Sequence, residues 1–169
     1  MSNRRQFLGR LITSGATRTM TGEADGYVVP GEVIRRAVDE GLFRGLACFA
    51  DHAVEGASSV RRLLGVWRDV GYDAVEGAAV GRLCAYETEE TRPVLDLIDQ
   101  WLGEERKGEG EKGRGGDVER PDLGISIVFY PRLAADGRTV ERIAMVESAD
   151  VVMFPASVGS RIVGRITND

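Results

Sequence analysis

The sequence predicts an α+β domain with a mainly antiparallel, barrel-like β core and two or three flanking helices. Three observations predict it. Most apolar runs are short, have a period near two and end at turn residues, as half-buried strands do. Only two stretches carry a clear helical period. Several strands with few helices fit one small α+β fold, partly or fully closed on itself. At 169 residues one domain is expected.

The N-terminal MSNRRQFLGRLITSG has basic residues before a short apolar stretch, but Arg10 interrupts it and Gly9 weakens it. It does not read as a signal peptide. A first helix is expected over Glu32–Glu40, with Val33, Ile34, Ala37 and Val38 as its buried face and Gly41 as a left-handed stop. Leu42–Ala50 reads as an apolar strand ending at Asp51-His52. Leu64, Val66, Val70 and Tyr72 alternate along the next strand, Asp73–Gly77 turns the chain, and Val80–Tyr86 returns as its partner. Thr91 is expected to cap a second helix, with Pro93 in the first turn. Val94, Leu97, Ile98, Trp101 and Leu102 form its apolar face.

Residues 103–120 hold six glycines and eleven charged residues among eighteen. Such a segment buries too little apolar surface to offset its ordering entropy, so a mobile insertion within the domain is expected. Beyond it, Ile125–Tyr130 reads as a strand covered on both faces. Thr139–Val146 and Val151–Phe154 read as two more, with Asp136-Gly137 as the turn before them.

Composition narrows function. A net charge of −5 argues against a general nucleic-acid binder. No apolar run reaches the roughly 18 residues that span a membrane. Cys48 and Cys84 make no disulfide framework and are expected as buried thiols in an intracellular protein. One histidine and no CxxC leave no zinc signature, so neither metal nor cofactor is expected.

That single histidine, His52, is the one imidazole that could act as a general base at neutral pH. Ser126 follows 74 residues later in PDLGISIVFYP, and Asp150 another 24 residues on in VESADVVMFPA. Alternation places Ser126 on the strand face of Val128 and Tyr130, opposite Ile125 and Ile127. A hydroxyl there either bonds a neighbouring carbonyl or serves as a nucleophile activated by an imidazole. A carboxylate completing the set would orient the ring and stabilise the imidazolium. Asp150 shares a face with Ser148, whereas Glu147 points the other way, which favours Asp150. Without a GxSxG elbow, an α/β-hydrolase is not expected.

Four segments in order carry a resemblance: GYVVPGEVIRRAV, then FRGLACFADH through SVRRLLGVWRDVGYDA, then PDLGISIVFY, then SADVVMFPA. Together, over about residues 20–162, the chain resembles the prohead maturation proteases of tailed bacteriophages, relatives of the herpesvirus assemblins. The resemblance implies a serine endopeptidase with His52 as base, Ser126 as nucleophile and Asp150 as the third member, Glu147 being the fallback. Many members have a glutamate two residues before a serine in the last motif. Here Ser148 stands at that glutamate and Asp150 at that serine. Ser157–Arg161 would supply oxyanion-binding backbone. The implied substrates and partners are scaffold and major capsid protein precursors and the protease itself, inside an immature capsid in the host cytoplasm. A homodimer is a further expectation of the resemblance. Two other readings stay open: a catalytically inactive capsid assembly or scaffolding protein of the same fold, and a thiol enzyme pairing Cys48 or Cys84 with His52.

Overall fold

Helix α1 (Gly31–Asp39) forms where local chemistry asks for it. Pro30 precedes it, Glu32 lies in its first turn, and Val33, Ile34 and Ala37 are buried on one face. Gly41 adopts φ 76°, and the Leu42 and Gly41 amides donate to the carbonyls of Ala37 and Val38, closing the helix with a Schellman motif. In the computed structural model the described residues are 4–18, 26–52, 60–110 (backbone alone for 104–110) and 123–167.

The strands are β1 (Gln6–Thr13), β2 (Gly15–Ala16), β3 (Val28–Val29), β4 (Ala47–Phe49), β5 (Leu63–Asp73), β6 (Ala78–Ala85), β7 (Leu123–Leu133), β8 (Val140–Met153) and β9 (Ile162–Ile166). A 3-10 turn, Val60–Arg62, leads into β5. The main sheet runs β7-β8-β4-β5-β6-β1-β9, and β2 pairs with β3 separately. Every pair in the main sheet is antiparallel except β4–β8. The sheet curls into a half-barrel, giving an α+β fold. At its far edge the Ile125 amide of β7 donates to the Ser160 carbonyl, just before β9.

Trp67 fills the concave side. It is fully buried on β5, and its indole N–H donates to the Ala149 carbonyl of β8 at 2.8 Å. Gly9 on β1 makes room for it: a Cβ there would lie 2.6 Å from Trp67 Cη2 and 2.8 Å from Ile125 Cδ1. Phe7, Leu83, Ile125 and Ala149 belong to the same core.

Helix α2 (Arg92–Gly110) lies near β9. Asp99 ties it to the β1–β9 edge, accepting from Arg5, just before β1, and from Arg165 on β9, while Arg5 also meets Asp96. Thr91 sits before it, but its hydroxyl donates to the Tyr86 carbonyl and accepts from the Thr88 amide, stapling the entering turn. The buried stripe is Leu95, Ile98 and Leu102, and Leu97 is exposed.

Several expectations need correction. The helix continues through residues 103–110 of the segment expected as a mobile loop, because Glu104–Lys107 are straight-chain helix formers that extend an existing helix at little cost; 111–120 lie outside the described residues. The strand expected over Leu42–Ala50 shrinks to Ala47–Phe49. Gly41 and Gly45, both at positive φ, wind Leu42–Gly45 into turns; Phe43 and Leu46 are buried, and the Leu46 carbonyl accepts from the Trp67 amide just before β4 begins. On β5 the inward residues are Leu64 and Trp67, and Val66 is only half-buried. Register shifts near Leu64 and near Asp69, itself at φ 52°, change the phase of the strand. The two strands expected after the Asp136-Gly137 turn are one continuous β8. No helix among the described residues is long and apolar enough to cross a membrane.

Candidate active site

The site is built where β4, β7 and β8 lie side by side. Asp150 is its buried centre, 1% exposed on β8. Its Oδ1 accepts from the Phe49 amide of β4 at 3.0 Å. Its Oδ2 accepts from the Ser148 hydroxyl at 2.8 Å and lies 2.9 Å from His52 Nδ1. Both carboxylate oxygens are therefore bonded, as a buried acid requires.

His52 reaches Asp150 because the chain turns sharply after β4. Asp51 takes the left-handed conformation at φ 59°, which short polar residues tolerate better than most. The Asp51 amide donates to the Val151 carbonyl at 2.8 Å, and Ala50 bridges to Val151 in parallel. The imidazole is 39% exposed on its outer side. A carboxylate at Nδ1 makes that nitrogen the donor in the neutral ring and leaves Nε2 as the acceptor.

Ser126 on β7 is the register partner of Asp150 on β8. Directly opposed residues of an antiparallel pair share a face, with Cβ atoms about 4.5–5.5 Å apart. Ser126 is 6% exposed. Among the described residues no hydrogen bond joins its hydroxyl to His52. The structure thus brings Ser126 beside Asp150 and His52 onto Asp150, without a hydrogen bond between Ser126 and His52 themselves.

Glu147 does not enter the cluster. The β7–β8 register steps from Val128↔Ser148 to Phe129↔Val146, so Glu147 is the extra residue of a bulge. It is exposed and accepts from the Tyr130 phenol at 2.8 Å, which pushes that phenol above its ordinary range. Cys48 lies on β4 between Leu46 and the site but is fully buried. Burial, then the nearby Asp150 charge, pushes its thiol well above the usual range and disfavours the thiolate. Cys84 sits on β6, away from this cluster.

Ser157–Arg161 packs beside β7 on the side away from β8. Gly124 permits the approach: a Cβ there would lie 2.4 Å from Pro155 and 2.7 Å from the Ser160 carbonyl. Ser157 bonds the Thr13 hydroxyl at 2.8 Å, and Gly159 turns at φ 87°. Next to this segment a cavity of about 610 Å³ opens along β7, lined in part by Ile12, Tyr27, Ile127, Phe129 and Ser157. Among the described residues no group of three or more His, Cys, Asp or Glu is arranged to hold a metal.

Two contributors escaped the sequence reading. The Phe49 amide is a backbone group with no sequence signature. Ser148 was placed on the right face by strand alternation, and that pattern, a hydroxyl two residues before an acid, was the available signal for its bond to Asp150. No family model matches the chain, and neither a curated protein nor a solved structure matches it.

Proposed function

We propose that the chain is a serine endopeptidase of phage capsid maturation, acting through Ser126, His52 and Asp150. The observation that carries the reading is the buried Asp150 bonded to the only imidazole while standing in register with Ser126. The phage assignment rests on the four ordered segments that resemble prohead proteases.

In this reading His52 Nε2 takes the proton as Ser126 Oγ attacks a peptide carbonyl. The same proton passes to the leaving amine, giving an acyl-enzyme that water hydrolyses by the reverse proton path. Asp150 holds the ring in the Nδ1–H form and stabilises the imidazolium. Scaffold and major capsid protein precursors, and the chain itself, are the proposed substrates.

The test pairs two measurements. A fluorophosphonate probe is expected to label Ser126 in the wild type and leave Ser126→Ala unlabelled. Co-expression with scaffold and capsid precursors is expected to give cleaved products with the wild type only. Equal processing by both removes Ser126 from the nucleophile's role. Intact precursors with both, in capsids that still assemble, would favour an inactive assembly protein of the same fold.

A further inference from the structure

We infer that Arg62 is a positioning residue for His52, its guanidinium clamping the backbone turn that aims the imidazole at Asp150. The inference rests on the peptidase reading for its kinetic consequence, though not for its geometry.

Arg62 Nε donates to the Ala50 carbonyl at 2.8 Å. Its Nη2 also reaches that carbonyl and, at 3.2 Å, the carbonyl of His52. In an extended strand the carbonyls of residues i and i+2 lie a full two-residue rise apart, roughly 6.5 Å. A single guanidinium nitrogen bonds both here because Asp51, between them, is left-handed at φ 59°. The turn and the clamp therefore require one another. Asp51 also has its carboxylate 3.8 Å from Nη2, but it is largely exposed and adds little.

The anchor is well supported. The Arg62 carbonyl accepts from the Ala50 amide at 2.9 Å, and the next residue, Leu63, is the register partner of Phe49. Ala50 is thus held at both its N–H and its C=O by one residue, while the Asp51 amide is held by β8. What remains for His52 is its ring, and Asp150 takes Nδ1. This hold on the His52 backbone comes from the start of β5. A planar fork suits two converging carbonyls, whereas a lysine ammonium is a point charge on a flexible stem.

Because the chain has one histidine, the ring can be read directly. Long-range ¹H–¹⁵N correlation spectra of histidine-labelled protein, recorded where the ring is neutral, report its tautomer. The wild type is expected in the Nδ1–H form. Arg62→Ala and Arg62→Lys are expected to populate the Nε2–H form, while Arg82→Ala, which removes an arginine paired elsewhere with Asp69, keeps the wild-type spectrum. Thermal melts identify variants that fold, and Arg62→Lys decides the matter if Arg62→Ala does not. Against a peptide substrate, kcat is expected to fall about 10–100-fold with KM little changed, the scale on which metal-bound imidazoles suffer when their outer hydrogen-bond partners are removed. Folded Arg62 variants that keep the pure Nδ1–H form overturn the inference. So does a wild-type ring in the Nε2–H form. A wild type without peptidase activity overturns the functional reading instead, and the tautomer comparison then decides the role of Arg62 alone.

Discussion

Ser126 stands directly across from Asp150 in the antiparallel β7–β8 pair, so the hydroxyl and the carboxylate reach the same sheet face from neighbouring strands. The ladder between two long strands sets their separation, and the parallel neighbour β4 then delivers His52 to the same carboxylate. A site built on strands rather than on loops is held by many hydrogen bonds at once.

Asp150→Asn tests the carboxylate. An amide oxygen still accepts from the Phe49 amide, but an NH₂ replaces the acceptor facing His52 Nδ1. The ring then favours the opposite tautomer. Peptidase activity is expected to fall by about 10⁴-fold in kcat, as it does when a triad aspartate becomes asparagine. A loss smaller than about tenfold would remove Asp150 from the machinery. Glu147→Gln, at an exposed side chain that accepts from the Tyr130 phenol and stands outside the Asp150 cluster, is expected to leave kcat near the wild-type value.

The thiol of Cys48 is expected to resist alkylation in the native protein at pH 8 and to react once the chain is unfolded. Burial and the Asp150 charge both disfavour its thiolate. Mass spectrometry after iodoacetamide treatment reads this directly. Rapid native labelling at Cys48 would revive a thiol mechanism.

Gly9→Ala is expected to destabilise the fold by about 1–3 kcal/mol, the usual cost of overpacking a core. The new methyl would sit 2.6 Å from the Trp67 ring, which is itself trapped between β1 and the Ala149 carbonyl. Trp67→Ala is expected to cost more, about 3–5 kcal/mol, by leaving a cavity and an unmatched carbonyl. Urea denaturation midpoints order the variants. A Gly9→Ala protein as stable as wild type would mean that Trp67 shifts freely.

Asp136 supplies a pH-dependent contribution at the turn before β8. The Thr139 hydroxyl, then the Thr139 and Arg138 amides, hold its carboxyl at a pKa of about 2, below the ordinary 3.8. A pKa lower in the folded state means that the unfolded state binds protons more readily. The stabilisation is therefore complete above the unfolded value and fades as pH falls from about 4 toward 2. Asp136→Asn is expected to melt below the wild type at pH 7, with the gap closing across that interval. A constant gap would show that the hydrogen bonds, and not the charge, carry the effect.

Elements whose causes are local were legible in the chain. Helix α1, its Gly41 stop and the Asp136-Gly137 turn each follow from residues within a few positions of one another. His52 stood out for a different reason: it is the sole imidazole of the chain. Strand alternation also placed Ser148 with Asp150 and against Glu147.

Tertiary structure decided what depends on partners far along the chain. No local pattern marks the bulges that bring Trp67 inward, because each is settled by register against another strand. The pairing of Ser126 with Asp150, the exclusion of Glu147 as a bulge residue, and the clamp of Arg62 on the turn before His52 are likewise matters of register and approach. The sequence by itself determined which groups could do chemistry. Only the curled sheet determined which of them meet, since contacts between strands are fixed by hydrogen bonds and packing across the sheet, not by neighbours in the chain.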